Sequence, residues 1–164
     1  MTITTRPTWT ISVSRPDEPD ALLLLREYMT EMVVRYHHRP ALPGEVDEAL
    51  AEMSSDDLTH PSGVLLLAHH DADLAGCAGL RWQPGWAELT RVFVRPAHRG
   101  AGGGAALLAA AEQHAEVADA DRIRLDTRAD LVEARALYTR HGYVEIPAYS
   151  QGPYADHWFE KRLR

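Results

Sequence analysis

The stretch Arg91-Val92-Phe93-Val94-Arg95-Pro96-Ala97-His98-Arg99-Gly100-Ala101-Gly102-Gly103-Gly104 decides how this chain is read. It opens as an apolar strand and stops at Pro96, which cannot donate to a ladder. The run Gly104 to Ala118, rich in Ala and Leu, then predicts a helix. Strand, glycine turn and helix start, in that order, make a place for an anion. Glycines let backbone N–H groups approach without a Cβ in the way, and a helix N-terminus adds about half a positive charge. The stretch holds three arginines, one histidine and no acid, in a chain whose 17 Lys plus Arg against 24 Asp plus Glu leave a net charge of −7. Tight packing of a helix on a sheet would also account for the glycines, but not for the arginines.

Two common phosphate-binding patterns do not fit. No Gly-Lys-Ser or Gly-Lys-Thr follows, so this is no P-loop. Gly102-x-Gly104 is followed by Leu107, where a dinucleotide fold needs a small residue, and a meander precedes it.

Upstream, Thr8 to Ser14 alternates apolar and polar residues as a strand does. Leu22, Leu25, Met29, Met32, Val33 and Tyr36 mark one apolar helix face, closed by Pro40 and Pro43, and a shorter helix spans Glu45 to Met53. Gly63 to His70, Leu74 to Trp82 and Trp86 to Val94 form a meander joined by two short turns. Downstream come a strand at Asp121 to Thr127, a helix at Glu133 to His141 capped by Gly142, and strands at Tyr143 to Ile146 and His157 to Leu163. The order βααβββαβαββ predicts an α/β fold: a mixed, mostly antiparallel central sheet with one β-α-β crossover and helices on both faces.

At 164 residues the chain is read as a single domain, residues 1–164, burying about 70% of the surface its unfolded form exposes. With 45% apolar and 25% charged residues it has a soluble globular profile. No run approaches the roughly 20 apolar residues of a membrane span, and Met1 to Pro7 lacks the apolar core of a secretory leader. One cysteine, Cys77, allows no internal disulfide and suits a reducing cytoplasm. The acidic balance argues against nucleic acid and for cationic partners; nothing in it opposes a homodimer.

The pattern Arg-x-x-Gly-x-Gly at Arg99, Gly102 and Gly104, preceded by Val94-x-Pro96, resembles the acyl-CoA-binding signature of the GCN5-related N-acetyltransferase family. A second family block is matched by Ala134, Leu137, Tyr138, Gly142 and Tyr143. The resemblance implies that the turn Arg99, Gly100, Ala101, Gly102, Gly103 and Gly104 holds the pyrophosphate of acetyl-CoA. It also implies that backbone groups near Phe93 and Val94 bind the pantetheine arm, and that the two strands around the cleft splay to admit the thioester. One position departs from the pattern: Leu131 stands where the family often has an Asn that contacts the cofactor arm.

Transfer of an acetyl group to an amine needs a base, a held oxyanion and a proton for the leaving thiolate. The resemblance makes Tyr138 the donor beside the CoA sulfur and Glu88 a base acting directly or through water. A core tyrosine and a solvated strand carboxylate are the plainer readings of the same two residues. Tyr149 and Tyr154, in the Pro/Gly loop 147–154, suit a wall for the acceptor, since binding residues are frequent on such loops. Cys77, between Ala and Gly neighbours, reads as a small core residue rather than an acyl carrier. The adjacent pairs His37-His38 and His69-His70 lack metal-ligand spacing, so no metal is expected. The expected reaction is acetylation of a primary amine on a small molecule or peptide. A silent acyl-CoA-binding module and a transferase using another acyl group or an oxygen acceptor are the alternatives.

Overall fold

Strand β4 (Trp86–Val94) organises the molecule: β3 (Asp73–Gln83) pairs with it antiparallel on one side, and β5 (Arg122–Thr127) parallel on the other. A computed structural model describes residues 8–164. The expectation of no leader at Met1 to Pro7 lies outside the described residues. The sheet continues through β2 (Gly63–His70) to β1 (Trp9–Ser14) on one side. On the other, β7 (His157–Arg162) pairs with β5 and carries β6 (Val144–Ile146) at its outer edge. The order is β1-β2-β3-β4-β5-β7-β6, with β4 and β5 the one parallel pair among the described strands. That pair encloses the crossover helix α3 (Gly103–Val117). The element order and the mixed sheet are as the sequence predicts.

Helices cover both faces because strands buried on both sides leave no polar face to water. On one side α3 presents Leu107, Leu108, Ala111 and Ala115, and α4 (Val132–Arg140) presents Tyr138, against Leu66, Leu80, Ala87, Leu89, Ile123 and Leu125. Each fully buried leucine there stabilises the fold by about 1.5–3 kcal/mol. On the other side α1 (Pro19–His37) packs Ala21, Leu24 and Leu25 on Leu65, Leu67, Cys77 and Phe93. Its next turns, with Met29, Met32 and Val33, meet Ala49 of α2 (Glu45–Glu52). Two residues expected on this face are not buried: Leu22 is 55% exposed and Tyr36 44%. The buried stripe is 21, 24, 25, 29, 32 and 33; Leu22 lies on the side of Met29 and Val33, but in the first turn of α1, away from the turns that meet α2. His38 closes α1 in the left-handed conformation, before the prolines expected to end it.

A bulge interrupts β4. Cys77 faces Phe93 and Gly79 faces Thr90, so Arg91 and Val92 together oppose the single residue Ala78. Arg91 adopts φ +56°, the left-handed conformation a bulge often requires. The extra residue inverts the strand's parity. Leu89 lies in the core under α3, whereas Phe93 lies in the core under α1.

Candidate active site

The bulge opens the sheet. β4 and β5 pair at Ala87, Glu88 and Leu89 and no further, although β4 runs on to Val94 and β5 to Thr127. From Thr90 onward the β5 side of β4 is therefore an unpaired backbone edge. An extended, amide-bearing chain can pair with such an edge as a strand would. A cavity of about 1380 Å³ fills the gap, larger than the usual small-ligand pocket of ~300–1,000 Å³. The six residue steps from Glu88 to Val94 give β4 a reach of about 20 Å along it. Both Phe93 and Val94 line this cavity.

At its far end lies the glycine turn. Arg99, Gly100, Gly102, Gly103 and Gly104 line the cavity, while Ala101 turns its carbonyl to the Trp9 indole N–H at 2.8 Å. Gly102 is the N-cap of α3 at φ +90°, and a Cβ added there would meet nothing within 4 Å. The Ala106 N–H donates to the Gly102 carbonyl at 3.1 Å. The N–H groups of Gly103, Gly104 and Ala105, as in any first helical turn, have no intrahelical acceptor. No acidic side chain stands in that turn, whereas the first turn of α2 carries Glu45, Asp47 and Glu48. The α3 dipole is thus left for an external anion, and the turn fits a pyrophosphate.

The turn is braced from behind. A Cβ on Gly103 would fall 2.5 Å from the Trp9 ring, so glycine is required there by packing. Trp9 stacks on His70 at 4.3 Å, and the Nδ1 atoms of His70 and His98 are 3.0 Å apart. Trp9, His70 and His98 are supports that sequence reading missed. The alternation of β1 marks Trp9 only as a core residue.

The three arginines of the stretch divide. Arg99 donates from Nε to the Val94 carbonyl at 2.8 Å and pairs through Nη2 with Glu31 at 3.0 Å. Arg95 is held by Glu27 at 2.6 Å. Arg91, expected to add its charge at the glycine turn, instead lies buried under α1 with its guanidinium 5.6 Å from the Tyr28 ring. The cause is the bulge, which turns it to that face.

Tyr138 lines the cavity, is 5% exposed, and packs against Tyr143 at 5.8 Å and Phe159 at 6.1 Å between ring centroids. Burial pushes its phenol well above the usual range, so it stays protonated. Glu88 lines the same cavity, 3.4 Å from Arg81. Burial raises its carboxyl above the ordinary value, against the pull of Arg81, with a further push from Asp126. Asp126 is a second cavity carboxyl that sequence reading did not single out. It accepts a hydrogen bond from the Ser150 hydroxyl at 3.2 Å, and burial raises it too. The register puts Glu88 beside Arg124, so Asp126, two residues on, shares its face. That alternation in β5 was the available signal.

Tyr154 lines the cavity and packs at 5.4 Å against Tyr36. Tyr149 lies outside the lining, edge-on to Trp86 at 5.5 Å, and its buried hydroxyl has no hydrogen-bond partner among the described residues. Ser150, Gln151 and Gly152 supply the wall instead. Leu131 lines the cavity but offers no amide, so the arm contact given by the family's Asn is missing. Cys77 is fully buried, donates to the Arg91 carbonyl at 3.2 Å, and has its thiol pushed up to about 12 by burial, unsuited to carry an acyl group. Among the described residues no three His, Cys, Asp or Glu side chains gather as metal ligands, and no helix is long and apolar enough to cross a membrane.

A family model described as the acetyltransferase (GNAT) family matches residues 26–143. A search of curated proteins finds no match. Among solved structures, a Klebsiella pneumoniae protein described as an acyl-CoA N-acyltransferase is 26% identical, over 95% of this chain and 98% of that one, with a TM-score of 0.73. A GNAT-family acetyltransferase from Staphylococcus aureus is 16% identical, over 96% and 100% of the two chains, at 0.73. The PaiA N-acetyltransferase of Thermoplasma acidophilum, solved in complex with coenzyme A, is 19% identical over 93% and 99%, at 0.70. The last two likenesses carry the fold alone.

Proposed function

Because the chain belongs to the acetyltransferase (GNAT) family, we propose that it transfers an acetyl group from acetyl-CoA directly to a primary amine of a small molecule or peptide. The observation that carries this reading is one continuous cavity. It is lined by the acid-free start of α3, the open edge of β4, the protonated phenol of Tyr138 and the buried carboxyl of Glu88.

The pyrophosphate takes the N–H groups of the α3 start, and the pantetheine amides pair with β4 beyond Leu89. The amine nitrogen attacks the thioester carbon, and the carbonyl electrons move to oxygen. As the tetrahedral intermediate collapses, the C–S bond breaks and the Tyr138 hydroxyl gives its proton to the departing sulfur. The proton lost from nitrogen goes to Glu88, directly or through water. A carboxyl raised by burial is better matched to this work near neutral pH than an ordinary one. The acidic cavity wall of Glu88 and Asp126 attracts a cationic amine, while burial favours its neutral, nucleophilic form. A single buried thiol suits the reducing cytoplasm as the place of work.

The experiment is a panel of primary amines with acetyl-CoA, read as CoA release, beside calorimetry of acetyl-CoA binding. Turnover of at least one amine supports the reading. Tight binding with no turnover across the panel overturns it in favour of a silent binding module.

A further inference from the structure

We infer that the acceptor amine also carries a carboxylate, and that Arg91 is the residue that reads it. The inference rests on the amine transfer proposed above and names the class of acceptor. Arg91 is 8% exposed and lines the cavity. Its side chain makes three hydrogen bonds: Nε to the Ser55 hydroxyl at 3.1 Å, Nη1 to the Thr90 hydroxyl at 3.0 Å, and Nη2 to the Met53 carbonyl at 3.0 Å. All three acceptors are neutral. The neutral Tyr28 phenol also bears on this guanidinium, so of its five N–H groups at least one is left over.

Four other arginines of the cavity are matched, and a fifth, Arg140, is exposed to water. Arg35, Arg81, Arg99 and Arg128 each pair with a carboxylate of the chain at 2.7–3.1 Å. Arg91 has no carboxylate within 4 Å among the described residues. An arginine stays charged whatever its burial, and a buried charge without a counter-ion is costly. The carboxyls facing it through space, Glu88 and Asp126, stand beyond ion-pair distance, and Glu88 is paired with Arg81 at 3.4 Å. An anion brought by the substrate would complete the site with a charge-assisted hydrogen bond.

Position selects the kind of anion. The pyrophosphate end of the cavity is at residues 99–104, beyond Val94, whereas Arg91 is three residues from Glu88 along β4. Three residues of chain reach at most about 10 Å. The amine at Glu88 and the anion at Arg91 therefore belong to one compact molecule, the size of an amino acid. The positive φ of Arg91 places the guanidinium on the same side of β4 as Glu88 and Thr90; without the bulge, alternation would turn it to the other face.

The test compares kcat/KM for amino acids with that for the same amino acids as primary amides, in the wild-type protein and in Arg91→Gln. The acids should be preferred by roughly ten- to hundred-fold, mainly through KM, as befits a charge-assisted pair. In Arg91→Gln the preference should fall toward one, with Arg91→Lys keeping part of it. A merely structural role for Arg91 lowers acids and amides together and leaves the ratio unchanged, which overturns the inference. If Arg91→Gln does not fold, the wild-type ratio decides alone. Amides used as well as acids, or turnover confined to amines without a carboxylate, also overturn it while leaving amine transfer standing. No CoA release from any amine while acetyl-CoA still binds removes the transfer reading itself, and this inference with it.

Discussion

Replacing Tyr138 by Phe separates its two readings, because the ring does the packing and only the hydroxyl can do chemistry. The ring sits against Tyr143 and Phe159 with 5% of the residue exposed, and Phe keeps those contacts. Truncation to Ala would instead cost about 3–5 kcal/mol of stability and confuse the result. Loss of one general acid typically costs about 10²–10⁴-fold in rate. A thiolate is a fair leaving group, so Tyr138→Phe should fall near the lower bound, ~10²-fold, or about 2.7 kcal/mol at 1.36 kcal/mol per tenfold. Acetyl-CoA affinity and Tm should stay close to wild type. Burial holds the phenol protonated, so the wild-type rate should show no alkaline decline near the ordinary tyrosine pKa of about 10. The assay is CoA release under saturating acetyl-CoA, with single-turnover mixing to establish that chemistry limits. A single-turnover rate within threefold of wild type would reduce Tyr138 to a packing residue.

Glu88→Gln should depress the rate most at low pH and least at alkaline pH, where the amine is already neutral; a ratio of rates constant across pH sinks the base assignment. The same substitution has a stability sign. A carboxyl raised by burial binds its proton more tightly folded than unfolded, so it costs stability as pH climbs past its unfolded value. Glu88→Gln should then raise Tm at pH 7.5 more than at pH 4, as read by calorimetry. Gly102→Val forces a branched residue into φ +90° at the α3 cap and should weaken acetyl-CoA binding at least tenfold; unchanged calorimetric affinity would move the pyrophosphate elsewhere. Glu31→Gln frees Arg99 from its 3.0 Å pair and should tighten acetyl-CoA a few-fold, with Arg99→Ala acting oppositely; unchanged affinity in both variants removes Arg99 from the phosphate site.

The architecture was legible because its signals are local. Pro96, the glycines after it and the Ala/Leu run mark a strand end, a turn and a helix start within 25 residues of one another. Apolar runs separated by two short turns marked the three meander strands close to their observed bounds. The bulge was not legible: Arg91 and Val92 look like ordinary members of an alternating strand, and only the pairing with β3 reveals the surplus residue. With it went the orientation of Arg91, counted with the other arginines of the stretch but lying under α1. Leu22 misled for the opposite reason, since a run of four leucines offers more apolar residues than one helix seam can bury. Tyr138 was found through a family block and Glu88 through its place on the strand before the glycine turn, while Asp126 needed the register of β4 on β5.

The indole of Trp9 holds the carbonyl of Ala101 across 92 residues of chain. During synthesis Trp9 leaves the ribosome first and waits, unpaired, for β2 and then for the glycine turn. At about 5–20 residues per second that wait lasts about 5–18 s. Meanwhile β1 is an open edge offered to any neighbouring strand. The turn, in its turn, gains its brace only when a segment made long before folds back onto it. A fusion partner or a cut near Trp9 therefore acts at a distance: it loosens the phosphate cradle without touching it, and shows itself first as poor retention of acetyl-CoA.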